Sequence, residues 1–238
     1  MKQLVIMSGG KGTRLKPLIN KLPKCLIKIN KKTLLEHQLL LAKKYKFKNI
    51  LLLTGYKSSS IINFIKKKKL FNIIRIIKDK KNLGNGSALL NAKEYLEDEF
   101  CLIYCDILTN INLSKLILFA KNKKTDLCLV VNKNSNFHDS NLITFGKNKV
   151  VKDIYIYPHK NIPKNCYSSE AIFFCKKDKL YLLKKKISNK KIDFVKDLIP
   201  QLLNRIKIHG YKTSEYIIDC GTPERLQKAR LNFRSDLK

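Results

Sequence analysis

Through the first half of the chain, apolar runs of strand length alternate with segments of helical period, and few folds accommodate that order. Strands are expected over residues 2–8, 50–54, 73–78 and 100–106, and helices over 34–45, 59–68 and 86–96. A strand–helix–strand succession of this kind builds a mostly parallel sheet with helices on both faces. Beyond about residue 107 the pattern loosens. Strands over 127–132, 142–145, 150–157 and 167–175 are joined by helices near Lys179 and over 194–203. A last helix opens at Thr222-Pro223-Glu224, where Thr can cap and Pro suits the first turn. No repeat interrupts the chain, and no stretch rich in Pro, Gly or Ser divides it. One α/β domain of 238 residues follows, long enough to bury about 70% of its unfolded surface without disulfides or metal.

Charge narrows the function classes. Fifty basic residues against 18 acidic give a net +32, which first points to the phosphates of a nucleic acid or an anionic membrane surface. Only six of the cations are arginines, at positions 14, 75, 205, 225, 230 and 234, so 44 are lysines, and they accompany abundant Asn and Ile. That company matches the coding bias of an AT-rich genome, which loads a solvated surface with lysine without selecting a ligand. The longest lysine run, residues 66–69, is expected at the C-terminal end of a helix, where cations suit the dipole. Specific nucleic-acid binding and membrane insertion are therefore not expected. No apolar run is long enough to span a bilayer or form the core of a leader, so the expected address is the cytoplasm. Seven cysteines without a C-x-x-C pair or a His at zinc spacing read as small buried hydrophobes in a reducing compartment.

Ligands of open α/β sheets bind at the carboxyl ends of strands, and the first strand ends in Ser8-Gly9-Gly10-Lys11-Gly12-Thr13-Arg14-Leu15. Glycines there let backbone N–H groups approach an anion closely, as a triphosphate requires. The loop lacks the Gly-Lys-Ser/Thr of a Walker A motif, and Leu15 stands where a dinucleotide fingerprint needs its third glycine. What remains is Gly-Gly-x-Gly-Thr-Arg, followed ten residues after Arg14 by Lys24 in Leu22-Pro23-Lys24-Cys25. An Arg fork and a Lys point charge grip different phosphate oxygens; a tight turn with incidental cations is the alternative. Lys11, on the same loop, is expected to face solvent.

Gly9-Gly10-Lys11-Gly12-Thr13-Arg14-Leu15 with Pro23-Lys24 resembles the signature of the sugar-1-phosphate nucleotidyltransferases, or nucleoside-diphosphate-sugar pyrophosphorylases. Three more segments fall in that family's order. Leu83-Gly84-Asn85-Gly86-Ser87-Ala88-Leu89 is similar to its second nucleotide loop, and Asp106 stands at a strand end where it keeps a metal-binding Asp. Asp219-Cys220-Gly221-Thr222-Pro223-Glu224 resembles its C-terminal Asp-x-Gly-Thr-Pro-Glu segment. The first strand and the ending Gly-Thr-Pro-Glu-Arg-Leu are most similar to guanylyltransferases acting on heptose or mannose 1-phosphate.

The resemblance implies a Rossmann-like, mostly parallel mixed sheet, with residues 1–110 as the nucleotide-binding half and 111–238 as the sugar-phosphate-binding half. It implies Mg²⁺ or Mn²⁺ on Asp106 and Asp219, since a hard dication takes oxygen ligands and needs only one or two carboxylates beside phosphates. A nucleoside triphosphate, GTP favoured, would lie against Gly9, Gly10, Gly12, Thr13, Arg14, Lys24, Asp79 and Gly84. A sugar 1-phosphate would lie near Ser169 and Glu170, and catalysis would fall to Arg14, Lys24 and Asp106. In-line attack on the α-phosphorus gathers several negative charges, so positioning and cations are what a protein contributes. A homodimer is compatible with the family.

The acceptor half departs from the family pattern. Tyr104-Cys105 replaces an Asn-Gly before the metal Asp, and Cys25 replaces the Pro after Lys24. Ile156-Tyr157-Pro158 replaces a Glu-Lys-Pro that handles the sugar phosphate, Ser169-Glu170-Ala171 an Asn-Ala-Gly in the sugar strand, and Val195 a Glu of the later helix. These changes leave open a phosphorylated amino-alcohol acceptor such as phosphocholine with CTP as donor. A catalytically silent regulatory or nucleic-acid-binding role on the same fold is also open, although joint retention of Arg14, Lys24, Asp106 and Asp219 argues against silence. Elsewhere, Glu36 and His37 are expected half-exposed at a helix start and His138 in a surface loop. Tyr155, Tyr157, Tyr167 and Phe173 are expected in the core at strand-period spacing. No Gly-x-Ser-x-Gly elbow is present.

Overall fold

The structure, a computed structural model, describes residues 3–15, 22–79, 83–133, 137–183 and 191–234. Its strands are β1 (Gln3–Ser8), β2 (Lys28–Ile29), β3 (Lys32–Thr33), β4 (Asn49–Thr54), β5 (Ile74–Lys78), β6 (Glu99–Tyr104) and β7 (Ile107–Thr109). They continue as β8 (Leu127–Asn132), β9 (Leu142–Phe145), β10 (Val151–Tyr155), β11 (Tyr167–Lys176), β12 (Ile208–Lys212) and β13 (Ile217–Asp219). The α-helices are α1 (Leu34–Lys44), α2 (Ser58–Lys67), α3 (Asn85–Asn91), α4 (Leu113–Asn122), α5 (Ile199–Leu202) and α6 (Pro223–Asn232).

Nine strands form one sheet with the path β10-β9-β11-β6-β1-β4-β5, and β8 pairs with both β11 and β12. β6, β1, β4 and β5 are mutually parallel, as the alternation in the sequence requires. β11 then runs antiparallel to β6 and to β8, so strands from the second half of the chain extend the sheet begun by the first. Central strands are apolar on both faces because both faces are covered. Leu4, Ile6, Ile50, Leu52, Cys101 and Ile103 enter one core layer with Leu35 and Leu41 of α1, Ile61 and Ile65 of α2, and Leu113 and Leu116 of α4. Val5, Met7, Leu51, Leu53, Phe100 and Leu102 enter the other with Leu89 and Leu90 of α3 and with Phe194, Leu198 and Leu202.

Local signals set the helix starts. Thr33 and Glu36 form a reciprocal capping box on α1: Glu36 N–H donates to Thr33 Oγ1 at 3.1 Å, and Thr33 N–H donates to Glu36 Oε2 at 2.8 Å. Thr222 caps α6 through Arg225 N–H at 3.3 Å, with Pro223 in the first turn. α4 was legible too but is absent from the sequence expectation: Asn112 caps it, and Leu113, Leu116 and Ala120 make its buried stripe. β12, pairing parallel with β8, was likewise not expected.

Several expectations need correction. The strand over 100–106 stops at Tyr104, leaving Cys105 and Asp106 in a turn. The helix over 86–96 is α3 followed by a 3₁₀ turn at Lys93–Tyr95, and near Lys179 there is only the 3₁₀ segment Lys177–Leu182. The helix over 194–203 begins as a π-type turn, Phe194–Leu198, before α5. His37 is buried, not half-exposed, because it falls between Leu34 and Leu41 on the inner stripe of α1; it packs edge-on to Phe233. Phe173 is in the core, but Tyr155 and Tyr167 are half-buried and Tyr157 is exposed, since β10 ends at Tyr155 before the bend at Pro158.

Candidate active site

The glycine loop leaves the carboxyl end of β1 and is anchored at its far end by Leu15. That side chain is fully buried in a small third core with Cys220, Leu226, Ala229 and Phe233. Within the loop Gly12 takes a positive φ of 60°, a conformation that glycine adopts without a Cβ penalty. Lys24 opens a 3₁₀ turn whose next residues, Cys25 and Leu26, are buried, which fixes where its side chain emerges. Asp106 lies in the turn between β6 and β7. Cys105 N–H donates to Met7 carbonyl at 2.9 Å, holding that turn against β1, and Cys220 N–H donates to Asp106 carbonyl at 2.8 Å. β13 pairs antiparallel with β7, setting Asp219 opposite Ile107. Two carboxylates far apart in sequence thereby converge with Lys24.

Lys24 Nζ is hydrogen-bonded to Asp106 Oδ2 in a largely buried pair. Desolvation works against the lysine charge, yet Asp106 and Asp219 outweigh it and hold its pKa above the ordinary lysine value. Burial and the nearby Asp106 charge push the Asp219 carboxyl above the usual carboxylate range, against the pull of Lys24, Arg225 and Arg14. Arg225 Nη1 donates to Asp219 Oδ2 at 3.0 Å and its other nitrogen to Asp139, while Arg14 Nη2 stands 3.8 Å from Asp219. Gly221 makes this approach possible: a Cβ there would meet Asp219 Oδ1 at 2.6 Å and Arg14 Nη2 at 3.0 Å.

Asp219 Oδ1 is buried with no hydrogen-bond partner among the described residues. A buried carboxylate oxygen with unengaged lone pairs, beside a second carboxylate, suits a hard dication. No group of three or more His, Cys, Asp or Glu able to hold a metal occurs among the described residues, so phosphates and water would complete the shell. Asp106 and Asp219 fit the metal that the resemblance implies.

Lys24 and Asp106 open into a cavity of about 650 Å³, whose lining does not include Asp219. Of the residues expected at the site, Gly9, Gly10, Gly12, Lys24, Asp79, Gly84 and Asp106 line it. Thr13 and Arg14 are exposed on the same loop outside that lining. Ser169 and Glu170 lie on β11 and are not among the lining residues. Lys11 is exposed as expected but also lines the cavity, so it does not point only to bulk solvent. Asp79 Oδ2 accepts from Leu83 N–H at 3.1 Å and so holds the second glycine loop.

That loop owes its glycines to the protein as well as to any ligand. Gly84 has φ +96°, and a Cβ there would lie 2.3 Å from Ile192 carbonyl oxygen. Gly86 N–H donates to the same carbonyl at 2.9 Å, and Ile192 N–H donates to Leu83 carbonyl at 2.7 Å. Asn85 completes the junction, its Nδ2 donating to Asp193 Oδ2 at 2.8 Å and its Oδ1 accepting from Phe194 N–H at 2.6 Å. Asp193, Lys191 and Lys196 therefore join the cavity lining, and none was singled out from the sequence. Asp193 did carry a signal, since Asp before Phe194-Val195 is a helix cap; it accepts from Val195 and Lys196 N–H.

All seven cysteines are buried and free. Burial pushes the Cys25 thiol up to about 11 and those of Cys101 and Cys220 to about 12, so they pack as apolar groups and are poor nucleophiles.

The chain is 26% identical over 224 residues to D-glycero-alpha-D-manno-heptose 1-phosphate guanylyltransferase of Campylobacter jejuni, covering 93% of this chain and 96% of that protein. It is 25% identical over 231 residues to bifunctional protein GlmU of Methanococcus maripaludis, covering 96% of this chain but 54% of that one, so it spans about half the length of that relative. In fold it superposes on the crystal structure of HddC from Yersinia pseudotuberculosis with a TM-score of 0.82 at 24% identity, covering 98% of this chain and 100% of that one. The pattern of the nucleotidyl transferase family matches residues 3–235, and the chain belongs to that family.

Proposed function

We propose that this chain transfers a nucleotidyl group from a nucleoside triphosphate, GTP favoured, to a sugar 1-phosphate of heptose or mannose type. The products are a nucleoside-diphosphate sugar and pyrophosphate. The observation that carries this reading is the charge cluster of Lys24, Asp106 and Asp219, of which Lys24 and Asp106 line one cavity together with the glycine loop. Guanylyl transfer to a heptose phosphate draws support from the name of the Campylobacter relative. A further structural neighbour is HddC complexed with GMP-PN.

An acceptor phosphate oxygen forms the new bond to the α-phosphorus as the α–β bridging bond breaks, its electron pair leaving with pyrophosphate. Backbone N–H groups of Gly9, Gly10 and Gly12 cradle the triphosphate, and Arg14 at the rim reaches its outer phosphates. Lys24 stays protonated and gives a fixed positive charge beside the reacting phosphorus. Asp106 and Asp219 would hold Mg²⁺ or Mn²⁺, which when bound neutralises charge on the α-phosphate and the leaving group. Arg225, anchored by Asp139, keeps the Asp219 carboxylate in place.

A screen of GTP, ATP, CTP, UTP and dTTP against mannose, glucose and heptose 1-phosphates and phosphocholine, read as pyrophosphate release, tests the proposal. GTP with a heptose or mannose phosphate is expected to turn over fastest. CTP with phosphocholine as the sole productive pair would replace it with the amino-alcohol reading.

A further inference from the structure

The cavity lining carries a lysine, Lys196, to which the mechanism above gives no role. Lys196 sits within the π-type turn Phe194–Leu198 and lines the cavity together with Lys24 and Asp106. Both ends of the residue are held. Its main-chain N–H donates to Asp193 Oδ1 at 2.9 Å, and its Nζ donates to the Tyr157 carbonyl at 2.8 Å, 5.8 Å from the centre of the Tyr157 ring. An ammonium has three donors, and Tyr157 takes one. Among the described residues no salt bridge engages Lys196, whereas Lys24 is paired with Asp106 and Arg225 with both Asp219 and Asp139.

The segment Ile156-Tyr157-Pro158 brings no cation of its own. It offers a carbonyl and an exposed ring, and the lysine that it positions comes from a different element. We propose that Lys196 is the cation that receives the acceptor's phosphate, held over the cavity by the Tyr157 carbonyl. The ligand class is a phosphate monoester, whose non-attacking oxygens take the free donors of Nζ while the attacking oxygen stays unencumbered. Lys196 keeps its proton throughout. The inference rests on the nucleotidyl-transfer reading and adds to it a residue and a subsite.

The test compares wild type with Lys196→Met and Lys196→Arg in initial rates with GTP, Mg²⁺ and either mannose 1-phosphate or D-glycero-α-D-manno-heptose 1-phosphate. Losing a charge-assisted contact is expected to raise KM for the acceptor at least about tenfold while KM for GTP moves less than about twofold. Lys196→Arg should recover most of the loss, and thermal unfolding should show that both variants fold. An unchanged acceptor KM in Lys196→Met, or equal rises in both KM values, would overturn the assignment while leaving the functional reading intact. A folded wild-type chain that turns over neither acceptor would overturn the functional reading and the inference with it.

Discussion

The main-chain N–H of Cys220 donates to the carbonyl of Asp106 at 2.8 Å, and the antiparallel pairing of β13 with β7 continues from that bond. The contact brings the two carboxylates together, and Lys24, Arg225 and Arg14 oppose, without cancelling, the burial and repulsion that raise Asp219. Asp106→Asn and Asp219→Asn should each weaken Mn²⁺ binding, read by electron paramagnetic resonance, by at least about tenfold and lower turnover by orders of magnitude. Chelation should abolish wild-type activity. Full activity of both variants in chelator would remove the metal assignment.

Lys24 and Arg14 should separate stability from binding. Lys24→Met strips a largely buried cation from beside two carboxylates and should cost about 3 kcal/mol of stability in chelator, part of it restored by Mg²⁺. Arg14 is more than half exposed; Arg14→Met should leave stability within about 0.5 kcal/mol and reduce triphosphate affinity about tenfold. Denaturation with and without Mg²⁺, beside triphosphate titration, checks both.

The two glycine loops should respond in opposite ways to one added methyl. At Gly10 a Cβ meets nothing within 4 Å, so Gly10→Ala should keep or slightly raise stability, by about 0.4–1 kcal/mol, while its methyl crowds the triphosphate and raises KM. At Gly84 the positive φ and the Ile192 carbonyl forbid a Cβ, so Gly84→Ala should lose on the order of 2 kcal/mol or more. Equal stability of the two variants would contradict the packing of the second loop.

The parallel half of the fold was legible because β1, β4 and β6 are each an unbroken apolar run, buried on both faces, and helical segments separate them in sequence. The meeting of Asp106 with Asp219 was not, because β7 and β13 are three residues each, too short to show a period. Gly84 was read as room for a ligand, and part of its reason is Ile192, a neighbour only in space. Lys196 was missed because its segment starts as a π-type turn, which shifts side chains off the 3.6-residue stripe.

Glu36 supplies a pH-dependent element away from the site. Desolvation opposes its charge, but Thr33 N–H and Lys68, 2.9 Å away, win and hold its pKa below the ordinary 4.5. A depressed folded pKa stabilises the protein above the unfolded value and is lost as pH falls through the folded one. Glu36→Gln should therefore be less stable than wild type at pH 7, by about 0.5 kcal/mol, and the gap should close as pH drops below 4.5. A gap constant with pH would contradict the capping role.

If the +32 charge is spread over a solvated surface, duplex DNA binding should be weak, indifferent to sequence and steeply salt dependent, with log affinity falling about 0.9 per phosphate neutralised. Triphosphate binding in Mg²⁺ should fall only modestly over the same titration. DNA binding that persists at about 200 mM salt without triphosphate binding would favour a nucleic-acid role.

The most direct test follows both products at once by ³¹P nuclear magnetic resonance in a mixture of GTP, mannose or heptose 1-phosphate and Mg²⁺. The account predicts pyrophosphate and a GDP-linked sugar appearing in equal amounts with wild type and neither with Asp106→Asn. Release of orthophosphate without a sugar nucleotide, or undiminished product formation by Asp106→Asn, would contradict it.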